Sequence, residues 1–384
     1  MTDAVIIEAV RSPVGKRAGA LAGTHPADLS ALVLNALVSR SGLDPAEVDD
    51  VIWGCVTQSG EQAVDIARTA VLSAGWPESV PGVTLDRQCG SSQQAVHFAA
   101  ACVLAGHYEV VVAGGVESMS RCPMASNMAA GDPFGGEGFT ARYAATPHQG
   151  TGAEIVARRW GLSRQRLDEY ASASHERAAA AQDSGAFDRQ IVPVPTGAGP
   201  VSRDEGVRRG TTPERLAGLD PAFAADGVIH AGNSSQISDG AAALLVTSGK
   251  TAARLGLHPV ARVHTAVLAA DDPVAMLTAP IPATRKALQR SGLALSDIGA
   301  IEVNEAFASV PLAWLDEFAD LGADEKTLNP LGGAIALGHP LGASGARLAT
   351  TLIHHMRDNG IRYGLQTMCE GGGQANATIY ELLS

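Results

Sequence analysis

One cysteine of this sequence, Cys89, stands where a reactive thiol is expected. It follows Asp86-Arg87-Gln88, just after a short β-type run, and it precedes a helix rich in small residues. The positive end of a helix stabilises a nearby anion, and such a position can lower the pKa of a thiol from ~8.5 to ~3.5–7.5. We therefore expect Cys89 to be a nucleophile with a lowered pKa, although most free cysteines are simply small buried hydrophobic residues.

Three other segments carry residues that suit the same chemistry. Asn304 closes a predicted strand, His339 lies in a glycine-rich turn before a predicted helix, and Cys369 ends a further strand just before Gly371-Gly372-Gly373. Each segment alone is more often an ordinary turn or helix cap than part of an active site. Because ligands bind outside the carboxyl ends of strands in open α/β sheets, the four segments together indicate one active site.

The elements that must position these residues occur twice in the chain. Ser41-Gly42-Leu43 and Ser291-Gly292-Leu293 each end an apolar-periodic helix and lead into a β run, at 48–56 and at 298–303. This repeat predicts a two-copy α/β protein. Its strands are continuous apolar runs, so we expect largely parallel, buried sheets, with 364–369 and 375–381 forming a closing hairpin.

A segment of different character separates the two copies. Prolines and charged residues become frequent after residue 117, and one amphipathic helix is predicted at 164–182. We expect an N-terminal half at 1–117, completed by about 242–250, an inserted loop domain for the substrate at 118–241, and a C-terminal half at 251–384. Insertions over a rigid scaffold often carry ligand specificity.

Composition narrows the class of protein. The chain has 384 residues, 46% of them apolar, and a formal charge of −12. Its length predicts two or three domains, and its acidity speaks against binding to nucleic acid or to an anionic membrane, although a local basic pocket for a phosphorylated ligand remains allowed. No basic region precedes an apolar stretch at the N-terminus, and no run reaches the ~18–20 apolar residues of a membrane span.

The cysteines predict the compartment. Five cysteines without a C-x-x-C pair make neither a disulfide framework nor a zinc site, so we expect a reducing, cytoplasmic location and no bound metal. Cys55 and Cys102 are expected in the core, and Cys122 has no predicted role.

At this point the sequence resembles the thiolase family, the acetyl-CoA acetyltransferases and 3-ketoacyl-CoA thiolases, over essentially its whole length. The matching motifs are Gln88-Cys89-Gly90-Ser91-Ser92, Gly114-Gly115-Val116-Glu117-Ser118-Met119-Ser120, Gly232-Asn233-Ser234-Ser235-Gln236-Ile237-Ser238-Asp239-Gly240, Asn304-Glu305-Ala306-Phe307, Gly332-Gly333-Ala334-Ile335-Ala336-Leu337-Gly338-His339-Pro340 and Cys369-Glu370-Gly371-Gly372-Gly373. The resemblance implies two βαβαβαββ halves in an α-β-α-β-α five-layer sandwich with an inserted loop domain. This fold agrees with the repeat.

The resemblance also implies roles for residues. Cys89 attacks the ketone carbon of a 3-ketoacyl-CoA, and His339 takes its proton. Cys369 protonates the departing enolate and later activates the thiol of coenzyme A, which is a co-substrate. Asn304 with His339, and the backbone N–H groups of Cys89 and Gly371, supply two sets of oxyanion donors.

Contacts to coenzyme A are expected outside this group. By resemblance, His148 and Ser235 lie along the pantetheine arm. Four arginines could contact the phosphates of coenzyme A: Arg203, Arg208, Arg209 and Arg215. We predict this role for Arg208. Because acidic residues lie among these arginines, an ordinary solvated surface segment is an equal alternative.

Several functions remain open at this stage. Gln149 stands where short-chain enzymes of the family usually carry Met, and Glu370 stands where they often carry an aliphatic residue. With the pattern at 54–62, this favours degradative thiolysis, including that of steroid side chains, over a short-chain acetyl-CoA acetyltransferase. A non-catalytic carrier or scaffold conflicts with the retained Cys89, Asn304, His339 and Cys369, and a ketoacyl synthase conflicts with the second cysteine. A homodimer or homotetramer is expected.

Overall fold

The computed structural model of the protein describes residues 3–143 and 145–383. Its strands are β1 Ala4–Arg11, β2 Gly15–Lys16, β3 Asp50–Gly54, β4 Gly82–Leu85, β5 Val110–Ser118, β6 Ser238–Ser248, β7 Ala261–Ala270, β8 Ala300–Val303, β9 Tyr363–Glu370 and β10 Gln374–Leu382. Its α-helices are α1 Pro26–Ser41, α2 Ile66–Ser73, α3 Ser91–Ala105, α4 Glu137–Thr140, α5 Gln149–Arg159, α6 Arg164–Ser184, α7 Pro213–Leu216, α8 Gly249–Leu255, α9 Pro280–Ser291, α10 Ser309–Glu317, α11 Ala334–Leu337 and α12 Ser344–Asn359. Short 3₁₀ helices occur at Pro45–Glu47, Gly60–Gln62, Ser126–Met128, Leu295–Asp297, Ala319–Leu321 and Leu341–Ala343.

The strands follow the order β4-β3-β5-β6-β1-β7-β10-β9-β8, and β2 pairs with β6. The first five belong to one half and the last four to the other, and the halves join where Val5 and Ile6 of β1 pair with Arg262 and Ala261 of β7. Among the strand pairs of the described residues, three run parallel, β3 with β4, β3 with β5, and β8 with β9, and the others run antiparallel. The prediction of largely parallel sheets is therefore wrong, because a continuous apolar run reports that both faces are covered and not which way the neighbouring strand runs.

Helices cover the sheet in three layers. On the outer face of the first half, Leu34 of α1 and Ile66 of α2 share a core cluster with Trp53 of β3. In the middle, Val96 of α3 and Leu352 of α12 share another cluster that reaches both halves. The outer face of the second half is covered by α9 and α10, in a cluster that includes Ala287, Trp314 and Ile301. Helical layers and sheet layers thus alternate to give five layers in total, and α3 and α12 form the central one.

The repeat predicted from the sequence is present. Helices α1 and α9 both stop at a glycine in the left-handed region, Gly42 at φ 73° and Gly292 at φ 74°. Each glycine N–H donates to the carbonyl four residues earlier, at 2.9 Å and 3.0 Å. A 3₁₀ turn and a buried strand, β3 or β8, follow in both copies. A side chain at such a position would strain the backbone, so glycine is the residue that ends both helices.

A long segment connects β5 to β6, which are direct neighbours in the sheet. It contains α4 to α7, and the predicted amphipathic helix appears as α6, which begins after an N-capping Ser163. The residues predicted to share its inner stripe are all buried: Leu167, Tyr170, Ala171, Ser174 and Ala178. The predicted closing hairpin is formed by β9 and β10, with Gly371, Gly372 and Gly373 in its turn.

Candidate active site

Cys89 lies in a tight turn between β4 and α3. The preceding residue, Gln88, has a positive φ of 48°, which costs a non-glycine residue of order 1–3 kcal/mol. Asp86 holds this conformation by accepting the Gln88 backbone N–H at 2.6 Å, and Ser91 donates its hydroxyl to the Gln88 carbonyl, also at 2.6 Å. The turn thus fixes Cys89 two residues before the first residue of α3, as the sequence predicts.

The two central helices bring Cys89 and His339 together. Their N-terminal ends cross so closely that the Ala346 N–H of α12 donates to Ser92 Oγ of α3 at 2.9 Å. Gly345 makes this approach possible, because a Cβ there would lie 2.3 Å from the backbone nitrogen of Gln93. Cys89 packs against a small apolar cluster that includes Leu341, two residues after His339.

His339 is buried and its ring is oriented from both nitrogens. Ser344 donates its hydroxyl hydrogen to the Pro340 carbonyl at 2.8 Å, so its oxygen accepts the Nδ1–H of His339 at 2.6 Å. The other nitrogen, Nε2, then carries a lone pair, which faces the amide nitrogen of Asn304 at 3.4 Å. Burial, with a contribution from Arg347, lowers the pKa of His339 to about 3. The imidazole is therefore neutral, and its Nε2 lone pair points toward the Asn304 amide.

Asn304 is fully buried directly after the last residue of β8. Its backbone N–H donates to the Thr367 carbonyl of β9 at 3.0 Å, which fixes it beside the strand that carries Cys369. The amide oxygen of Asn304 is buried and has no hydrogen-bond partner among the described residues. A buried amide without a partner is costly, so this group is available for a ligand or a bound water.

Cys369 and Gly371 come from the end of β9 and the hairpin turn. Cys369 is 1% exposed, and burial raises the pKa of its thiol well above the ordinary value, with the nearby Cys89 and Glu370 raising it further. A Cβ at Gly371 would lie 2.7 Å from Oε1 of Gln88, so the hairpin turn packs directly on the Cys89 turn. The structure therefore brings Cys89, His339, Asn304, Cys369 and Gly371 into one region, as the sequence predicts.

The thiol of Cys89 is not ionised in this environment. Burial raises its pKa to about 12, and the carboxyl of Glu370 contributes to the rise. The expectation of a lowered pKa is therefore not met, because removal from water outweighs the backbone hydrogen bond at Cys89 that lowers the pKa. A nucleophilic role for Cys89 would require a base during attack, and His339 Nε2 is the ring nitrogen that carries a lone pair.

Two residues that support the site were not assigned a role from the sequence. Glu117, at the end of β5, accepts N–H groups from Val56 and Gly342 at 2.9 Å each, and so ties the loop after β3 to the turn after His339. Ser344 sets the tautomer of His339. The motif around Glu117 is visible in the sequence, but both roles depend on contacts between distant segments.

The residues expected along coenzyme A line one edge of the insertion. His148 caps α5, and its ring centroid lies 5.8 Å from that of Phe223, which in turn lies 5.9 Å from Phe307. Ser235 donates its backbone N–H to the Ala306 carbonyl at 2.9 Å. A path of aromatic and small residues thus connects exposed His148 to the segment that carries Asn304.

The arginines differ in their availability for phosphates. Arg209 forms two hydrogen bonds to the carboxylate of Asp183, at 2.8 Å and 2.7 Å. Arg208 is exposed, and its side chain pairs with no carboxylate of the described residues. It stays a prediction as a phosphate contact.

The described part of the chain holds no group of three or more His, Cys, Asp or Glu side chains placed to bind a metal ion. None of its helices is both long and apolar enough to cross a membrane.

The fold and the site define a thiol-dependent α/β enzyme, and comparison with known proteins gives its family. Residues 4–250 match the thiolase N-terminal domain and residues 257–382 match the thiolase C-terminal domain, so the chain belongs to the thiolase family. This confirms the predicted family, fold class and acyltransferase class.

Individual relatives cover nearly the whole chain. The steroid 3-ketoacyl-CoA thiolase FadA6 of Mycobacterium tuberculosis is 51% identical over 100% of this chain and 95% of its own length. The 3-ketoacyl-CoA thiolase of Pseudoalteromonas translucida is 42% identical over 99% of both chains. The crystal structure of the Bacillus anthracis acetyl-CoA acetyltransferase superposes with a TM-score of 0.91 at 39% identity, over 100% of this chain and 99% of that chain.

Proposed function

We propose that this thiolase cleaves 3-ketoacyl-CoA with coenzyme A as co-substrate and forms an acyl-Cys89 intermediate. One observation carries the proposal: the partly buried thiol of Cys89, a neutral imidazole whose Nε2 lone pair faces the Asn304 amide, and the buried thiol of Cys369 lie together at the ends of different segments. Cleavage of a carbon–carbon bond beside a ketone needs a nucleophile, a base and a separate acid, and these three groups meet that need.

The first half-reaction uses Cys89 and His339. The Cys89 proton passes to His339 Nε2 while the sulfur bonds to the ketone carbon. The backbone N–H groups of Cys89 and Gly371 stabilise the resulting oxyanion. When the carbon–carbon bond breaks, its electrons enter a thioester enolate, whose oxygen is held by His339 and by a water on Asn304. Cys369 donates its proton to the enolate carbon, which releases acetyl-CoA or propionyl-CoA.

The second half-reaction restores both cysteines. Cys369, now a thiolate, takes the proton of the coenzyme A thiol, and the coenzyme A sulfur attacks the acyl carbon on Cys89. The Cys89 thiolate leaves and is reprotonated by His339. Cys89, His339 and Cys369 all regain their starting protonation states, with the proton of the coenzyme A thiol replacing the one that Cys369 gave to the product. The same sequence therefore runs backwards as a Claisen condensation.

Intact-protein mass spectrometry with paired variants tests these roles. Cys89→Ala should form no acyl adduct with acetyl-CoA, whereas Cys369→Ala should be acylated slowly and lose thiolysis by several orders of magnitude. Cys102→Ala, which removes a half-buried thiol from α3 outside the site, is the matched control and should behave as the parent. An adduct on Cys89→Ala, or near-normal turnover by Cys369→Ala, contradicts the proposal.

We further propose that the acyl group is medium, long or ring-bearing. The relative at 51% identity is named for steroid 3-ketoacyl-CoA. Gln149 lies beside Met124, whose sulfur accepts its amide at 3.6 Å. Exposed apolar side chains occur nearby on the insertion and at its end: Met124, Met128, Phe223 and Ile237. Such a surface favours a bulky hydrophobic acyl chain over a short one.

Assembly and location complete the proposal. Val83 on the edge strand β4 is 45% exposed, and Phe98 and Leu104 on α3 are 45% and 50% exposed. Exposed apolar residues beside an open sheet edge favour pairing of two copies, so we propose a homodimer or a dimer of dimers. The acidic composition and the five free cysteines support a cytoplasmic enzyme that binds neither nucleic acid nor membrane.

A further inference from the structure

Glu370 is a buried acid that the reaction described above does not use. It is the last residue of β9, directly after Cys369, and it is 1% exposed. Both of its carboxyl oxygens are buried, and neither meets a partner in hydrogen-bond geometry among the described residues. A buried carboxylate without a partner is strongly unfavourable, so its position next to the two reactive cysteines requires an explanation.

The geometry around Gly90 supplies that explanation. A Cβ at Gly90 would lie 1.9 Å from Oε1 of Glu370 and 2.8 Å from Oδ1 of Asn376. Two oxygens therefore crowd the same point beside the Cys89 turn, and Asn376 Oδ1 is also buried without a partner. The amide nitrogen of Asn376 is turned away, toward Gln94 Oε1 and His97 Nδ1 at 3.2 Å each. Both oxygens are acceptors when Glu370 is ionised, whereas a protonated Glu370 would supply the hydrogen that joins them.

The surrounding groups do not neutralise a carboxylate here. From α3, His97 faces the cluster, and burial lowers its pKa to about 3, so it is uncharged. From the turn before α3, Arg87 lowers the pKa of Glu370, but its guanidinium donates to Gln374 Oε1 at 2.7 Å. The backbone of Asn376 also lowers this pKa, yet burial outweighs both and raises it to about 8. The remaining titratable neighbours are the thiols of Cys89 and Cys369, which a negative Glu370 disfavours as thiolates.

We propose that Glu370 is a positioning residue that stays a neutral acid during turnover. Its carboxyl O–H donates a hydrogen bond to Asn376 Oδ1, and its neutrality keeps negative charge away from Cys89 and Cys369. This role rests on the proposed function, in which both cysteines pass through thiolates and two oxyanions form. A neutral Glu370 joins the end of β9 to β10 beside the Cys89 turn without opposing those charges. When it ionises at alkaline pH, both thiolates become harder to form.

The test follows the alkylation of Cys89 by iodoacetamide from pH 6.5 to 9.5, together with kcat/KM for thiolysis. Glu370→Gln and Glu370→Leu place a neutral side chain at this position, Glu370→Asp keeps an ionisable one, and Glu78→Gln changes an exposed acid as the control. For each neutral variant, we expect the alkylation rate divided by that of the parent to rise at least about fivefold between pH 7 and pH 9.5. The reason is that a change of one unit in the pKa of the thiol changes the thiolate fraction about tenfold. Glu370→Asp and Glu78→Gln should show the same pH dependence of alkylation as the parent. The alkaline decline of kcat/KM should shift to higher pH, by about one pH unit or more, only in the neutral variants.

The two proposals fail in different ways. A flat ratio with the adduct on Cys89 in peptide mass spectra overturns the role of Glu370 and leaves the nucleophile intact. An adduct on another residue, with thiolysis retained, overturns the proposed function and this role with it. Because Gln and Leu differ in polarity, loss of folding in one variant leaves the other to decide the outcome.

Discussion

The thiol of Cys89 and the imidazole of His339 are both uncharged before substrate binds. Burial raises the pKa of the thiol to about 12 and lowers that of the imidazole to about 3, so proton transfer between them is coupled to attack. This differs from a preformed thiolate–imidazolium pair, in which the thiol is already ionised near neutral pH.

The pH dependence of alkylation distinguishes these two states. Because the pKa of Cys89 lies far above 7, its thiolate fraction should rise about tenfold per pH unit between pH 5 and pH 7. The rate constant of alkylation by iodoacetamide should rise in proportion, and peptide mass spectra verify that the adduct is on Cys89. A plateau across this range would indicate an ion pair and contradict the neutral arrangement.

At the residue level, the sequence reveals reactive groups better than the groups that orient them. Cys89, His339 and Cys369 stand out because a thiol or imidazole beside glycines at a strand or helix boundary is unusual. Ser344 acts only because its hydroxyl meets His339 Nδ1, and Glu117 only because Val56 and Gly342 converge on it. In the sequence Ser344 resembles an ordinary helix start, and the motif around Glu117 does not reveal which groups its carboxylate binds. The pKa of Cys89 was missed for the same reason, since burial is a property of the whole fold.

At the level of elements, the crossing of α3 and α12 sets the distance between nucleophile and base. Gly345 lies at this crossing, and a Cβ there would meet the backbone nitrogen and Cα of Gln93 at 2.3 Å and 2.9 Å. Backbone atoms on both sides cannot move out of the way as a flexible side chain would. The helices must separate to admit a methyl group.

Gly345→Ala tests this crossing. We expect a loss of about 1–3 kcal/mol in the free energy of unfolding, seen as a lower thermal midpoint, and at least about tenfold slower acylation of Cys89. Gly249→Ala is the matched control, because it also begins a helix, α8, and nothing lies within 4 Å of its added Cβ. Parent-like stability and acylation in Gly345→Ala would show that the helix contact does not set the site.

The elements differ in how well the sequence predicts them. The hairpin of β9 and β10 was predictable because its turn is local and rich in glycine. The placement of β6 between β5 and β1 was not predictable, because the whole insertion separates β5 from β6 in the chain and β1 is more distant still. Buried strands carry apolar residues whichever way their neighbours run, so the direction of the sheet remained hidden.

At the level of the whole molecule, the exposed apolar residues of β4 and α3 predict assembly. Light scattering at micromolar concentration should give a dimer or tetramer for the parent, and a double variant with Val83→Lys and Phe98→Glu should shift it toward monomer, because charge at an apolar contact is costly to bury. Leu321→Glu is the control, since Leu321 is 56% exposed on a 3₁₀ helix of the other half. A fully active monomeric parent would contradict the assignment.

The proposed preference for a bulky acyl group rests on the insertion. Gln149 offers a polar amide next to Met124, and the insertion also exposes the apolar side chains of Met128 and Phe223. We therefore expect kcat/KM for thiolysis of medium, long or ring-bearing 3-ketoacyl-CoA to be at least equal to that for acetoacetyl-CoA. A panel of esters of increasing bulk measures this, and Gln149→Met, which restores a flexible apolar side chain, should shift the preference toward acetoacetyl-CoA. If longer esters are turned over more than ~100-fold less efficiently, they are disfavoured by about 2.7 kcal/mol in the transition state, and the enzyme is a short-chain acetyl-CoA acetyltransferase instead.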